Sequence, residues 1–176
     1  QVTGQARHVD DIPAPRGALH LVFGMARIAA GRVTAMDLGA VRAAPGVAAV
    51  WTAADLPGPC DCSPSAHDEP LLSDGAVHYA GQPLFLVAAD SHGGARRAVA
   101  RAQVAYDEAT PILTVDDALA AGSRFEEGPR IWARGDVEAA LAAAPHRIED
   151  TIEVGGQEHF YLEGQAALAL PQEGGD

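Results

Sequence analysis

The sequence predicts an α+β fold, in which strands and short helices are mixed without a regular order. Hydrophobic residues make up 48% of its 176 residues, which is enough for a buried core. Apolar residues recur with the period of a strand in some segments and with the spacing of a helix in others. Because these segments lack the strand–helix–strand repeat of a doubly wound parallel sheet, the α+β class is favoured.

The first third of the chain predicts two strands around a short helix. Residues 19–25 have large apolar side chains at every second position, which indicates a strand. Asp37 can cap a helix over residues 38–44, and the Pro-Gly pair after it ends that helix. Residues 47–51 form a short apolar run typical of a buried strand, and residues 52–55 resemble a small capping-box turn.

A loop of about twenty residues follows, and loops of that length are usually functional or mobile. It covers residues 56–75, which are rich in Pro, Gly, Asp, Ser and Cys. Cys60 and Cys62, with His67 and Asp68, could bind a soft metal such as zinc. The loop lacks the C-x₂₋₄-C spacing and the second ligand pair of structural zinc sites, so a loop with two unligated cysteines is the favoured interpretation.

The middle of the chain predicts a buried strand followed by an amphipathic helix. Residues 84–89 are almost continuously apolar, as expected for a strand covered on both faces. Ser91 can cap the helix, whose apolar face consists of Ala95, Ala98, Val99 and Ala102. Residues 103–106 are predicted as a further strand, and Thr114 can cap a short helix over residues 115–120.

The last third of the chain is less regular. Residues 122–133 are polar and interrupted by Gly and Pro, so they are predicted to be a connector. Asp136 can cap a third helix, which the next proline ends. Residues 147–154 and 166–170 are apolar enough to be predicted as two more strands.

Composition excludes several classes of protein. All 12 basic residues are arginine, so the chain lacks the lysine that a Walker A loop, a pyridoxal phosphate site or a protein kinase requires. The net charge of −12 argues against binding nucleic acid, because that affinity comes mostly from neutralising phosphates. Two cysteines cannot supply the four thiolates of an iron–sulfur cluster.

The same reading indicates a cytoplasmic protein without a membrane anchor. No apolar run approaches the roughly 20 residues of a membrane span, and no signal peptide is recognisable at the N-terminus. The sequence begins with Gln1 rather than Met, which leads us to expect a piece of a longer chain.

Two weak motifs have simpler interpretations. His159 and Glu163 are four residues apart and could share a metal ion, but the second histidine of an H-E-x-x-H site is absent. Gly93 and Gly94 precede a helix and could bind an anion, but the full dinucleotide-binding fingerprint is missing. Packing at the first motif and a tight turn at the second are favoured, and no metal-binding or catalytic residue is assigned.

Gln157 is the strongest candidate for a functional residue. Gly155 and Gly156 before it can allow the backbone to approach another group closely. The glutamine amide offers both a donor and an acceptor, and it could hold an oxo ligand or a polar substrate without adding charge. On these grounds alone, a purely structural turn is favoured over a binding role.

Residues 155–163 have the sequence Gly-Gly-Gln-Glu-His-Phe-Tyr-Leu-Glu. This sequence resembles the signature at the start of the molybdenum-binding part of the xanthine dehydrogenase/aldehyde oxidase family. Members of this family are the molybdenum hydroxylases. Four upstream blocks resemble the family in order and spacing, at residues 3–13, 45–57, 81–107 and 134–137. The resemblance covers essentially the whole chain. It is greatest to the molybdopterin-binding large subunit of bacterial members.

The resemblance implies a division of the chain into three parts. Residues 1–120 would be an α/β-hammerhead domain, residues 121–145 a connector with a short helix, and residues 146–176 the first strands of a molybdopterin-binding domain. Members of the family hydroxylate a carbon of a purine, aldehyde or N-heterocycle, with water as the oxygen source. Oxidation of hypoxanthine and xanthine to urate is the expected activity of the complete enzyme.

The resemblance also implies the cofactors and partners. Gln157 would contact the apical oxo ligand of the molybdenum cofactor. FAD and [2Fe-2S] clusters would lie on a partner chain, with NAD as the electron acceptor, in a hetero-oligomer of two large and two small subunits. The general-base glutamate and the substrate-orienting arginine of the family lie outside these residues, so the chain alone is expected to be inactive.

Two alternatives remain open at this point. The chain could be a non-catalytic assembly module that docks the flavin and iron–sulfur subunit. It could also come from an aldehyde oxidase or another N-heterocycle hydroxylase of the same family.

Overall fold

Two antiparallel three-stranded sheets organise the larger of two units in the computed structural model. The larger unit is Ala14–Asp117, and the smaller one joins Gln1–Pro13 to Ala118–Asp176. The structure describes residues 2–58, 60–64, 66–124, 128 and 130–171. All strands that it contains belong to the larger unit.

The predicted strands of the larger unit are confirmed. The first sheet has the order β1 (His20–Met25), β5 (Pro83–Ala89), β3 (Val47–Thr52), and the second has the order β4 (Ala76–Val77), β2 (Gly31–Asp37), β6 (Gln103–Glu108). β5 is the central strand of the first sheet, and five of its seven residues are buried. This burial explains the continuous apolar run, since a strand covered on both faces has no polar side.

Three of the four helices begin after the residue predicted to cap them, and the prediction for the first is wrong: its N-cap is Leu38, although the Asp37 carboxylate accepts the Gly39 N–H at 2.8 Å. The helices are α1 (Gly39–Arg42), α2 (His92–Val99), α3 (Val115–Ala120) and α4 (Val137–Ala143), with 3-10 turns at Val9–Asp11 and Ala53–Asp55. The Ser91 hydroxyl accepts the Gly94 N–H at 3.2 Å, and the Asp136 carboxylate accepts the Ala139 N–H at 2.9 Å. Thr114 caps α3 in the same way. Each cap satisfies a backbone donor that the first helical turn leaves unpaired.

The core packs α1 and α2 against the first sheet. Ala95 and Ala98 form the buried face of α2, and their small side chains let the helix lie close to the strands. Gly24 of β1 is paired with Phe85 of β5, and the Phe85 ring occupies the space that a side chain at position 24 would fill. The largest fully buried side chains are Phe85, Leu72, Leu84, Val41 and Val87.

Two strands of the larger unit, β2 and β4, have no counterpart in the sequence prediction. The structure shows a reason for β2. The register between β2 and β6 shifts between Val33 and Ala35, which is a β-bulge. A bulge moves the following side chains to the other face, so the period of two is broken.

The strands predicted at residues 147–154 and 166–170 are wrong. The structure describes both segments, and neither forms a strand. Ile148 and Ile152 are 99% and 84% exposed, so their apolar face covers nothing within the described residues. A strand needs a neighbour for its backbone donors and acceptors, and no described strand lies beside these segments.

The predicted loop and connector are confirmed in their described parts. Residues 60–72 fold back on themselves through an isolated bridge between Asp61 and Pro70. Residues 125–127 and 129 of the connector, like residues 172–176, lie outside the described residues. No described helix has the length and apolar character needed to cross a membrane.

Candidate functional site

The Gln157 segment, residues 155–163, is irregular and almost entirely exposed. Every residue from 145 to 162 is exposed to solvent. The Gln157 side chain makes no hydrogen bond to any described residue. Its amide therefore keeps two N–H donors and one carbonyl acceptor free for an external group.

Gly155 and Gly156 have open space beside them. No described atom lies within 4 Å of where a Cβ would stand on either residue. Neither residue has a positive φ, so neither needs to be glycine for the local backbone conformation. The close approach that these glycines permit is not used by the described part of the chain.

Glu163 holds the end of this segment. One of its carboxylate oxygens accepts the backbone N–H of Val9 at 2.6 Å, and this contact is half-buried. Val9 begins the 3-10 turn Val9–Asp11, and the Asp11 carboxylate accepts the N–H of His8, the residue just before the turn, at 3.0 Å. The contact gives Glu163 a structural partner within the smaller unit.

His159 and Glu163 are not paired with each other. The His159 ring stacks on the Tyr161 ring, with centroids 5.4 Å apart and planes 2° from parallel. Phe160, which lies between His159 and Tyr161 in the sequence, has a left-handed backbone conformation with φ of 56°. This conformation is unusual for a large side chain and costs about 1–2 kcal/mol. The Phe160 side chain is 91% exposed.

The cysteine loop is held by its own side chains. The Cys60 sulfur accepts the Leu72 N–H at 3.1 Å and donates to the Leu72 carbonyl at 3.3 Å. His67 Nδ1 lies 2.6 Å from the Asp61 carboxylate. Cys62 is exposed, and neither Cys60 nor Cys62 forms a disulfide bond. Within the described residues, no three potential ligands come together as a metal site.

The pKa of the Asp61 carboxyl is lowered from its usual value. The main cause is the backbone N–H of Ser63, and the hydrogen bond to His67 adds to it. Both donors stabilise the charged carboxylate more than the neutral acid. The ionised Asp61 carboxylate therefore stabilises the loop through its hydrogen bonds to Ser63 and His67.

The N-terminus of α2 is closed by the protein itself. The Gly94 N–H donates to Ser91, and the Ser91 hydroxyl donates in turn to the Asp90 carboxylate at 3.1 Å. An anion would meet this carboxylate. The tight-turn interpretation of Gly93 and Gly94 agrees with this arrangement.

A cleft of about 610 Å³ opens beside β2 in the larger unit. Its lining includes Val33, Met36, Thr52, Cys60 and Asp74. The cleft could not be predicted from the sequence, because no strand was predicted at β2, which forms one of its walls. Its lining is mainly apolar and contains no pair of titratable groups in contact.

Comparison with known proteins identifies the family. Residues 3–110 match the family model described as aldehyde oxidase and xanthine dehydrogenase, a/b hammerhead domain. The chain belongs to the aldehyde oxidase and xanthine dehydrogenase family. Residues 123–176 match the model of the molybdopterin cofactor-binding domain. The α+β fold is thus a hammerhead domain followed by the start of a cofactor domain, in a family of molybdenum-dependent oxidoreductases.

Individual relatives agree with this assignment. Xanthine dehydrogenase from Oryza sativa subsp. japonica is 34% identical over 178 residues, which cover 100% of this chain. Aldehyde oxidase 4 from Rattus norvegicus is 37% identical and covers 97% of this chain. The solved structure of aldehyde oxidoreductase from Desulfovibrio gigas has a TM-score of 0.64 and 26% identity over 76% of this chain.

The chain corresponds to a small part of each relative. It spans 13% of the length of the rice protein and 12% of the rat protein. It covers 16% of the Desulfovibrio gigas chain. Family membership is therefore established for this part, and the activity of a whole enzyme is a separate question.

Proposed function

We propose that this chain is the N-terminal part of the molybdopterin-binding subunit of a xanthine dehydrogenase. The complete enzyme would oxidise hypoxanthine and xanthine to urate, with water as the oxygen source. The observation that carries the proposal is the similarity to rice xanthine dehydrogenase along the whole chain. We propose the division into a hammerhead domain at residues 1–120, a connector at 121–145 and the start of the cofactor domain at 146–176.

The residues of the Gln157 segment fit a role beside the molybdenum cofactor. Gln157 has a free, exposed amide, and its two preceding glycines leave the adjacent space open. The cofactor, when bound, supplies the two-electron oxidation of the substrate carbon. Gln157 would donate an amide N–H to an oxygen that the cofactor carries, and because the amide is neutral it would not alter the charge of the site.

The electron-transfer groups would belong to a partner chain. This segment has two cysteines, whereas an iron–sulfur cluster takes four thiolates, so a cluster would lie outside these 176 residues. We propose a flavin and iron–sulfur subunit that carries FAD and [2Fe-2S] clusters and passes electrons to NAD. The assembly would contain two large and two small subunits in the cytoplasm.

The substrate is tested with the complete complex. Xanthine, hypoxanthine and an aldehyde would be compared by kcat/KM under the same conditions. We expect the two purines to be oxidised far more efficiently than the aldehyde. Preference for the aldehyde would overturn the xanthine dehydrogenase assignment and leave the family assignment intact.

The similarity to relatives is also compatible with an aldehyde or another N-heterocycle as the substrate. The identity to rat aldehyde oxidase 4, 37%, is no lower than the identity to the rice enzyme. Similarity over this part of the chain therefore does not separate the two activities. The same substrate comparison decides between them.

A second candidate function is assembly without chemistry. The predicted apolar face of β1 is largely uncovered, since Leu21 is 59% exposed and Met25 is 54% exposed. Exposed apolar side chains on an edge strand suit a protein interface. Leu21→Asp in the complete subunit should abolish capture of the flavin and iron–sulfur subunit if this face docks it. Undiminished capture would contradict the assembly role of this face.

A further inference from the structure

The smaller unit consists of two segments, Gln1–Pro13 and Ala118–Asp176, and a half-buried hydrogen bond joins them. Within residues 145–171, all of which the structure describes, Glu163 is the one residue that is not exposed. Within residues 2–13, only His8 and Val9 are not exposed. Two of these half-buried residues, Val9 and Glu163, are joined by the hydrogen bond from the Val9 N–H to the Glu163 carboxylate.

The chemistry of this contact is favourable at both ends. The first N–H groups of a helical turn have no acceptor inside the turn. The Asp11 N–H is satisfied by the His8 carbonyl, whereas the Val9 N–H has no acceptor in the turn and donates to the Glu163 carboxylate. A carboxylate is the preferred partner there, because the partial positive charge of the turn strengthens the bond.

The contact lies close to Gln157 along the chain. Glu163 lies six positions after Gln157 in the sequence, and an extended chain over that distance spans at most about 22 Å. The left-handed Phe160 and the His159–Tyr161 ring stack make the intervening backbone more compact than that limit. A fixed Glu163 therefore restricts where the Gln157 amide can lie.

We propose that Glu163 is a positioning residue that fastens the Gln157 segment to the 3-10 turn Val9–Asp11. The carboxylate fixes the end of the segment, and the N-terminal turn thereby determines where the Gln157 amide is presented. The functional part of this inference rests on the proposed role of Gln157 beside the cofactor. The fastening itself depends only on the contact between Val9 and Glu163.

Val9→Pro removes the donor and leaves the Glu163 carboxylate unchanged. Proline is well tolerated at the first position of a helical turn, where its fixed φ suits the backbone. His8 is already extended, with φ of −87° and ψ of 165°, as a residue before proline must be. The substitution therefore deletes one hydrogen bond with little strain.

Hydrogen exchange of the complete subunit, measured without substrate, tests the fastening. We expect exchange of the Asp11 and Ile12 amides, which are hydrogen-bonded inside the turn, to rise about tenfold in Glu163→Ala and in Val9→Pro, because a charged hydrogen bond to the turn is lost. The double variant should show no further rise, since both changes break the same bond. Glu163→Gln keeps an acceptor oxygen and should give an intermediate rise.

Glu153→Gln is the matched control, because Glu153 is exposed and makes no hydrogen bond to a described residue. It should leave the exchange unchanged. Unchanged exchange in Glu163→Ala and Val9→Pro, or additive effects in the double variant, would overturn the fastening. If Glu163→Ala does not fold, Glu163→Gln still tests the contact.

Kinetics of the same variants separate the fastening from the proposed function. Positioning of Gln157 predicts that Val9→Pro lowers kcat with little change in KM, and that it adds no further loss to Gln157→Ala. A rise in exchange with unchanged kcat would retain the fastening and overturn its link to catalysis. A loss of kcat in Gln157→Ala, with neither effect in the Glu163 and Val9 variants, would retain the cofactor role and overturn the positioning.

Discussion

The Phe85 ring lies against Gly24, its partner on the neighbouring strand, and fills the space that a side chain on residue 24 would need. Phe85 is 2% exposed, so its ring is part of the buried core. Glycine in a strand lacks a side chain to pack, and here the aromatic ring supplies that packing. The pair joins β1 to the central strand of its sheet.

Gly24→Ala should therefore destabilise the protein. Displacing a packed ring costs about 1–3 kcal/mol, which lowers Tm by several degrees in a domain of this size. Thermal unfolding and urea denaturation measure the change. Gly58→Ala is the control, because no described atom lies within 4 Å of its Cβ position and its φ is not positive. Equal stability of the two variants would contradict the proposed packing.

Gln157→Ala should lower turnover in the complete enzyme without removing the molybdenum. A lost hydrogen bond to the cofactor reduces kcat by about tenfold or more, whereas a contact that does not bind the metal directly should leave metal content largely intact. Steady-state kinetics and metal analysis provide the two measurements. Gln165→Ala is the control, because Gln165 is an exposed glutamine of the same region. An unchanged kcat would exclude the cofactor contact.

Asp55 should titrate at unusually low pH. The Thr52 backbone N–H, and then the Thr52 hydroxyl, lower the pKa of this carboxyl below its ordinary value of 3.8. Because the folded pKa lies below the unfolded one, the ionised carboxylate stabilises the Ala53–Asp55 turn above pH 3.8, and this contribution is lost as the pH falls through the folded pKa.

The side-chain part of this effect is measured by NMR titration of Asp55. Thr52→Val removes the hydroxyl, so the pKa should rise part of the way towards 3.8, while the backbone donor remains. Thr34→Val is the control, since Thr34 is exposed on β2. A pKa that does not move in Thr52→Val would show that the hydroxyl bond is absent in solution.

The two cysteines should differ in reactivity. The Cys62 thiol is exposed, whereas the Cys60 sulfur is half-buried and bonded to both backbone groups of Leu72. A thiol reagent should modify Cys62 first and Cys60 only when the loop opens. Cys62→Ser should remove the fast phase. Equal rates for both thiols would contradict the closed loop.

Local chemistry was the part of the fold that could be predicted. Ser91, Thr114 and Asp136 begin their helices because a short polar side chain can satisfy the first unpaired N–H groups. The strand at residues 84–89 was recognisable because burial on both faces leaves a continuous apolar run. These signals depend only on neighbours in the sequence.

Features that depend on distant partners could not be predicted. The bulge between Val33 and Ala35 removed the alternation that identifies a strand. Residues 147–154 have a strand-like sequence and lack a neighbouring strand among the described residues. The bond between Val9 and Glu163 joins positions 154 residues apart, and no local pattern indicates it. Gln157 was found only through its resemblance to a family signature, because its exposed amide has no structural signature of its own.

The smaller unit is built from two segments that lie far apart in the sequence, and this has a consequence for protein synthesis. The larger unit is continuous, so it can fold as soon as Asp117 has emerged from the ribosome. The smaller unit needs both Gln1–Pro13 and the segment that contains Glu163. Val9 must wait for 154 further residues before its acceptor exists, which at 5–20 residues per second is about 8–30 s. During that interval the Val9–Asp11 turn lacks its acceptor and is accessible to chaperones and proteases.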